Sequence, residues 1–139
     1  MSDQDIRWKQ RFQNFEKAYH KFQHALQFQA EEPENELYQM ALVQAFEFTF
    51  ELGWKTVKDF LLYSGVKKVS LPRDVIKQGF HHQVIEDGQL WIDMMLDRNL
   101  MAHTYSEENA RQALEKIRSR YQEGLRQVYV YLKDRWEKN

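Results

Sequence analysis

The sequence has no cysteine, only two prolines and only five glycines in 139 residues. Without cysteine, neither a disulfide framework nor a thiolate metal site can form. So few chain breakers leave room for a handful of long helices and little for short strands or tight turns. No apolar run reaches the roughly 18 residues that a membrane span needs. The opening Met1-Ser2-Asp3-Gln4-Asp5 lacks the basic and apolar regions of a signal peptide, so the expected location is cytoplasmic. The formal net charge is −1, so a general basic field is missing and any nucleic-acid contact has to rely on local charge.

What the chain does have is aromatic surface and helix formers. Aromatics reach 14 %, with four Trp, seven Tyr and nine Phe. Glu, Gln, Lys, Arg, Leu and Ala fill the surface positions, and all favour helix. With no repeat, low-complexity run or linker, residues 1–139 read as one domain. Its expected class is all-α: an antiparallel up-and-down four-helix bundle with an additional short helix.

A first helix is expected from about Asp3 to Glu31. Trp8, Phe12, Phe15, Tyr19, Phe22 and Leu26 follow one another in steps of three and four, a seam suited to bundle packing. His20 and His24 could in principle chelate a metal from its polar side. No third ligand stands near them, so they read as solvated and no metal site is expected. Pro33, among glutamates, suits the first turn of a second helix that runs to about Tyr63.

The second helix carries the core stripe Phe46, Phe50, Trp54, Val57 and Leu61. Phe48 and Leu52 widen its apolar arc, as a helix that also meets a second subunit would require. Its polar strip is Gln44, Glu47, Glu51, Lys55 and Lys58. That strip is either a solvated face with a Glu51–Lys55 pair or the border of a functional cleft. Gly65 suits a left-handed cap at the helix end.

A short helix is expected from Pro72 to about Val84, after the basic connector with Lys67 and Lys68. Another is expected from Gly88 to about Leu100, with Trp91, Ile92, Met95 and Leu96 on its apolar side. The last begins near Ser106, capped by Thr104 with Glu107 or by Ser106 itself. Ala110, Leu114, Ile117, Tyr121, Leu125, Val128 and Leu132 form its core stripe. Helices of this length make an elongated bundle with flat sides suited to dimerising.

Chemistry concentrates between Asp97 and Tyr105. On a continuous helix Arg98 and His103 would stand about 140° apart, so they meet within one chain only if the helix ends between them. Arg98 is a permanent, bidentate phosphate clamp, and His103 can move a proton near neutral pH. Such a pair suits metal-free cleavage of an RNA phosphodiester, and a dimer would supply both acid and base. Equally, an Arg and a His at a helix junction can simply bind carbonyls or a carboxylate at the helix end.

The chain resembles the nucleotidyltransferase substrate-binding protein family, the HepT-like branch of the HEPN domains. The resemblance runs from the stretch Phe46 to Lys58, through Pro72-Arg73-Asp74-Val75-Ile76, to Asp97–Tyr105. Its specific element is Arg-x4-His-x-Tyr, met by Arg98, His103 and Tyr105, with Asn99 after the Arg as is common there. The resemblance implies a homodimer with the motifs lining an interface cleft. It implies a ribonuclease toxin needing no metal or cofactor, paired with a minimal nucleotidyltransferase antitoxin. In some relatives that partner adds AMP to the motif tyrosine, here Tyr105. Arg98 and His103 would be catalytic, and Asp97, Asn99, Glu51 and Lys55 would support substrate binding. A binding subunit that presents nucleotide or polynucleotide without cleaving it, and a purely structural dimerising bundle, are the alternative readings.

Overall fold

The computed structural model describes residues 2–103 and 106–138, apart from the side chains of residues 102 and 103. The described residues form helices joined by short turns, with no strand. The order is α1 (Asp3–Glu31), α2 (Glu36–Tyr63), α3 (Pro72–His81), α4 (Gly88–His103) and α5 (Glu107–Lys116). A π-helical turn (Ile117–Tyr121) then leads into α6 (Gln122–Lys138). Taking α5, the π turn and α6 as one column, four long helices make the bundle and α3 is the short addition.

Local chemistry sets the boundaries. Ser2 caps α1 by accepting from the Asp5 amide, and Asn35 caps α2 by accepting from the Leu37 and Tyr38 amides. Pro33 therefore lies in the turn before α2 rather than in its first turn, because Asn35 satisfies two of the amides a helix start leaves unpaired. Gly65, at φ 97°, takes the left-handed position just past α2. The short helix stops at His81 rather than near Val84, where Gln83 turns the chain with φ 64°. Ser106 caps α5 by accepting from the Asn109 amide, while Thr104 lies outside the described residues.

The core is an aromatic seam between α1 and α2, closed by α4 and α6. Trp8, Phe12, Phe15, Phe22, Phe46 and Phe50 are all essentially buried. Burial of each such side chain is worth about 1.5–3 kcal/mol of transfer free energy, against about 0–1 kcal/mol for an exposed ion pair. The seam, not the surface charge, therefore holds the helices together. Tyr129 of α6 stacks on Tyr19 of α1 with centroids 4.4 Å apart and donates to Glu16 at 2.6 Å.

Gly53 lets α4 approach α2 closely. A Cβ there would meet Phe15 at 3.1 Å and Trp91 at 3.3 Å. This approach brings the later turns of α4 alongside Glu47, Glu51 and Lys55. Among the described residues, no helix is long and apolar enough to cross a membrane.

Candidate active site at the α2–α4 corner

Arg98 follows Trp91, Met94 and Met95 on the inner side of α4, in steps of seven, four and three. Those three are buried, but Arg98 comes where α4 begins to outrun the core, and its side chain is 30 % exposed. Its Nε lies 3.7 Å from Glu51 Oε2 and makes no hydrogen bond among the described residues. Glu51 also faces Lys55 at 3.5 Å. Glu51 thus makes the expected helix-surface pair and reaches across to Arg98 as well. Lys55 Nζ sits 5.9 Å from the centre of the Trp54 ring.

One turn earlier on α2, Glu47 is half-buried. Burial pushes its carboxyl above the ordinary range, and the Arg98 charge only partly opposes this. Arg98 is consequently a cation held loosely between two carboxylates. A phosphate competing for it has to displace a pair at the long end of ion-pair distance, not a bidentate clamp.

Asp97 is turned to another task. It accepts a hydrogen bond from the Tyr121 hydroxyl and a second from Lys116 Nζ at 3.2 Å. The Tyr121 hydroxyl is held well above its usual range, first by burial and then by this donation to Asp97. Asp97 therefore anchors α4 to the π turn, directly beside Arg98 in sequence. Asn99 is exposed on the outer side of α4.

The helix does not end between Arg98 and His103, as their meeting within one chain would require. α4 runs on through His103, which keeps the two backbone positions about 140° apart around its axis. Position 103 shares the outer strip of α4 with Leu96, Asn99 and Leu100, in steps of three and four. Nothing breaks the helix earlier, because Leu100, Met101 and Ala102 are all good helix formers. Tyr105 lies outside the described residues.

That outer strip also differs from expectation. The apolar pattern groups Leu96 on the core side with Trp91 and Met95, yet it is 50 % exposed, and so is Leu100. Leu90 and Met94 take the inner places instead. On α2, Phe48 is 61 % exposed on the same outer side as Lys55. Leu96, Leu100 and Phe48 thus leave large apolar side chains exposed near the charged corner of Glu51, Lys55 and Arg98.

The π turn is absent from the expected elements, although the sequence carries a signal for it. The stripe of the last column repeats every seven residues, except for a step of eight from Ile117 to Leu125. The π turn absorbs that extra residue. Its backbone is secured by side chains: Gln122 donates to the Arg118 carbonyl at 2.6 Å, and Arg118 reaches back to the Leu26 carbonyl at 2.5 Å and to Gln29. Among the described residues, no group of three or more His, Asp or Glu could hold a metal ion.

The arrangement is that of a helical bundle with one loosely held arginine at a partly apolar corner. The chain belongs to the family described as nucleotidyltransferase substrate binding protein like, whose sequence profile matches residues 10–134. A solved structure of a protein from Thermus thermophilus is similar, with a TM-score of 0.71 and 29 % identity, over 82 % of this chain and 94 % of that one. No curated protein sequence matches.

Proposed function

We propose that the chain is a HEPN-type ribonuclease toxin that cleaves RNA without a metal, using Arg98 and His103, and that a minimal nucleotidyltransferase neutralises it. The observation that carries this reading is Arg98 itself: a partly exposed guanidinium, weakly paired, on the same short helix segment as His103. Because α4 runs unbroken through His103 and keeps the two positions apart within one chain, the reading takes two chains as the working unit. Two copies meeting over Leu96 and Leu100 would bring two 103 positions near one seam, with an Arg98 on either flank. In the cleavage step the 2′-oxygen of the ribose bonds to phosphorus as the 5′-oxygen leaves. One His103 takes the 2′ proton, and the His103 of the second copy gives a proton to the leaving oxygen. Arg98 stabilises the charge that builds on the phosphoryl oxygens. Glu51, Lys55 and Asn99 border the RNA path, and Asp97 holds the helix that carries Arg98.

The test is RNA cleavage by the purified protein, free of its partner, in EDTA. The expected products carry 2′,3′-cyclic phosphate ends, and His103→Ala abolishes them while leaving the fold intact. Equal cleavage by the wild type and the variant would refute the reading. For the partner, incubation with the nucleotidyltransferase and ATP is expected to bond AMP to the Tyr105 oxygen and release pyrophosphate. Equal labelling of Tyr105→Phe would exclude that site.

A second reading is favoured by the two carboxylates beside Arg98 and by the family description. Here the protein is a non-enzymatic subunit that presents nucleotide or polynucleotide to a nucleotidyltransferase. Binding without cleavage, lost in Arg98→Ala, would support it over the first.

A further inference from the structure

A cleft opens where the end of α2, the end of α3 and the last part of α6 come together, about 20 Å further along α2 than Glu51. It encloses about 630 Å³, within the roughly 300–1,000 Å³ of small-molecule sites. Its base is aromatic: Phe60 and Tyr131 meet edge to face with centroids 6.0 Å apart. Its rim is cationic and polar, formed by Lys67, His82, Arg135 and the Ser64 hydroxyl. Among the described residues, no carboxylate lines it.

The cations at this rim are differently committed. Arg135 lies over the Tyr131 ring at 4.7 Å and donates to its hydroxyl at 3.3 Å, so the guanidinium is braced rather than free to swing. The acid paired with it, Asp134 at 3.9 Å, is held more closely by Lys138 at 3.1 Å. Lys67 is exposed, and none of the described ion pairs includes it. It stands on the connector between Gly65 at φ 97° and Lys68 at φ 61°, two left-handed turns that carry it to the rim. The imidazole of His82 enters from the opposite connector, where Gln83 makes the third such turn.

An aromatic base with donors and cations at one rim suits a ligand that has a planar ring at one end and a phosphate at the other. We propose that this cleft is a nucleoside monophosphate site, separate from the Arg98 corner. The ring packs against Phe60 and Tyr131, and the phosphate lies among Lys67, Arg135 and His82. The Ser64 hydroxyl is placed to hydrogen-bond the sugar or phosphate. The site stands independently of RNA cleavage, and its failure would leave the cleavage test untouched.

The experiment is an NMR titration of the full chain with AMP, alongside adenosine and inorganic phosphate as separate probes. The expected result is saturable AMP binding that moves the amide signals of Gly65, Val66 and Val84. Adenosine and phosphate alone are expected to bind at least roughly tenfold more weakly, since each satisfies only half of the site. Lys67→Gln and Arg135→Gln should each weaken AMP binding roughly tenfold, while Arg98→Ala leaves it unchanged. Lys67 is exposed, so its substitution tests the site even if Arg135→Gln disturbs α6. Absence of saturable AMP binding would overturn the proposal. So would unchanged affinity in Lys67→Gln, phosphate binding as tight as AMP, or loss of binding in Arg98→Ala.

Discussion

The Tyr121 hydroxyl donates to the carboxylate of Asp97, joining the π turn to the residue directly before Arg98. Tyr121 is 1 % exposed, and its ring stacks on Phe46 at 5.4 Å, so its position is set from both sides. Removing only the oxygen should separate the two roles. Tyr121→Phe keeps the stack and leaves Asp97 with Lys116 alone. The expected cost is about 1.5–3 kcal/mol, read as a fall of roughly 4–12 °C in thermal midpoint. An unchanged midpoint would show that Lys116 and water replace the bond fully.

Glu51 lies 3.7 Å from Arg98, so under the proposed function it competes with RNA phosphate for that charge. In a His103→Ala background, chosen to remove the proposed cleavage, Glu51→Gln should tighten binding of a short RNA by roughly two- to fivefold at low salt, the scale of an exposed ion pair. The difference should fade as ionic strength rises. Fluorescence anisotropy of a labelled oligonucleotide measures it. Weaker binding would instead mean that Glu51 itself contacts the RNA.

Glu47 gives a pH signature of known sign. Burial raises its pKa in the folded chain above the ordinary 4.5, with Arg98 opposing in part. The folded state therefore prefers the neutral acid, and that preference is lost as pH rises through the raised value. Glu47→Gln mimics the neutral form. It should raise the thermal midpoint at pH 7, and the gain should disappear as pH falls below 4.5. Thermal denaturation of both proteins across that range checks it, and a gain that grows on acidification would contradict the assignment.

Leu96 and Leu100 each leave half their surface bare on the outer strip of α4. Replacing Leu96 with Glu should leave the single chain folded, because it takes nothing from the core. The expected result is a monomer by light scattering, full helicity by circular dichroism, and loss of RNA cleavage. Retained cleavage by a monomer would show that one chain holds a complete site.

Where local chemistry decides, the sequence is a good guide. The steps of three and four from Trp8 to Phe22 give the buried face of α1, and Phe46 to Leu61 give that of α2, because burial follows helix periodicity directly. Gly65 betrays its left-handed turn for a similarly local reason. Pro33 misleads because Asn35, two residues on, offers the helix amides a better partner. Leu96 misleads because apolar character alone does not tell a core position from an exposed one, and here it is 50 % exposed. Only the packing of α4 on Gly53 shows which side faces in. The pairing of Glu51 with Arg98 is half legible: the side of α2 can be read, but its neighbour cannot, since that depends on how closely α2 and α4 approach.

The π turn shows that the last column carries one residue more than the bundle needs. A chain lacking a residue such as the exposed Ser119 could close Ile117–Tyr121 into ordinary α-helix. Leu114 before the gap and Leu125 after it would still face inward. The fold should survive the deletion, while the contacts made from this turn, Tyr121 to Asp97 and Arg118 to the end of α1, should shift. Insertions and deletions in this segment should thus act on the Arg98 corner while the bundle stays intact, which separates the inheritance of the scaffold from that of the site.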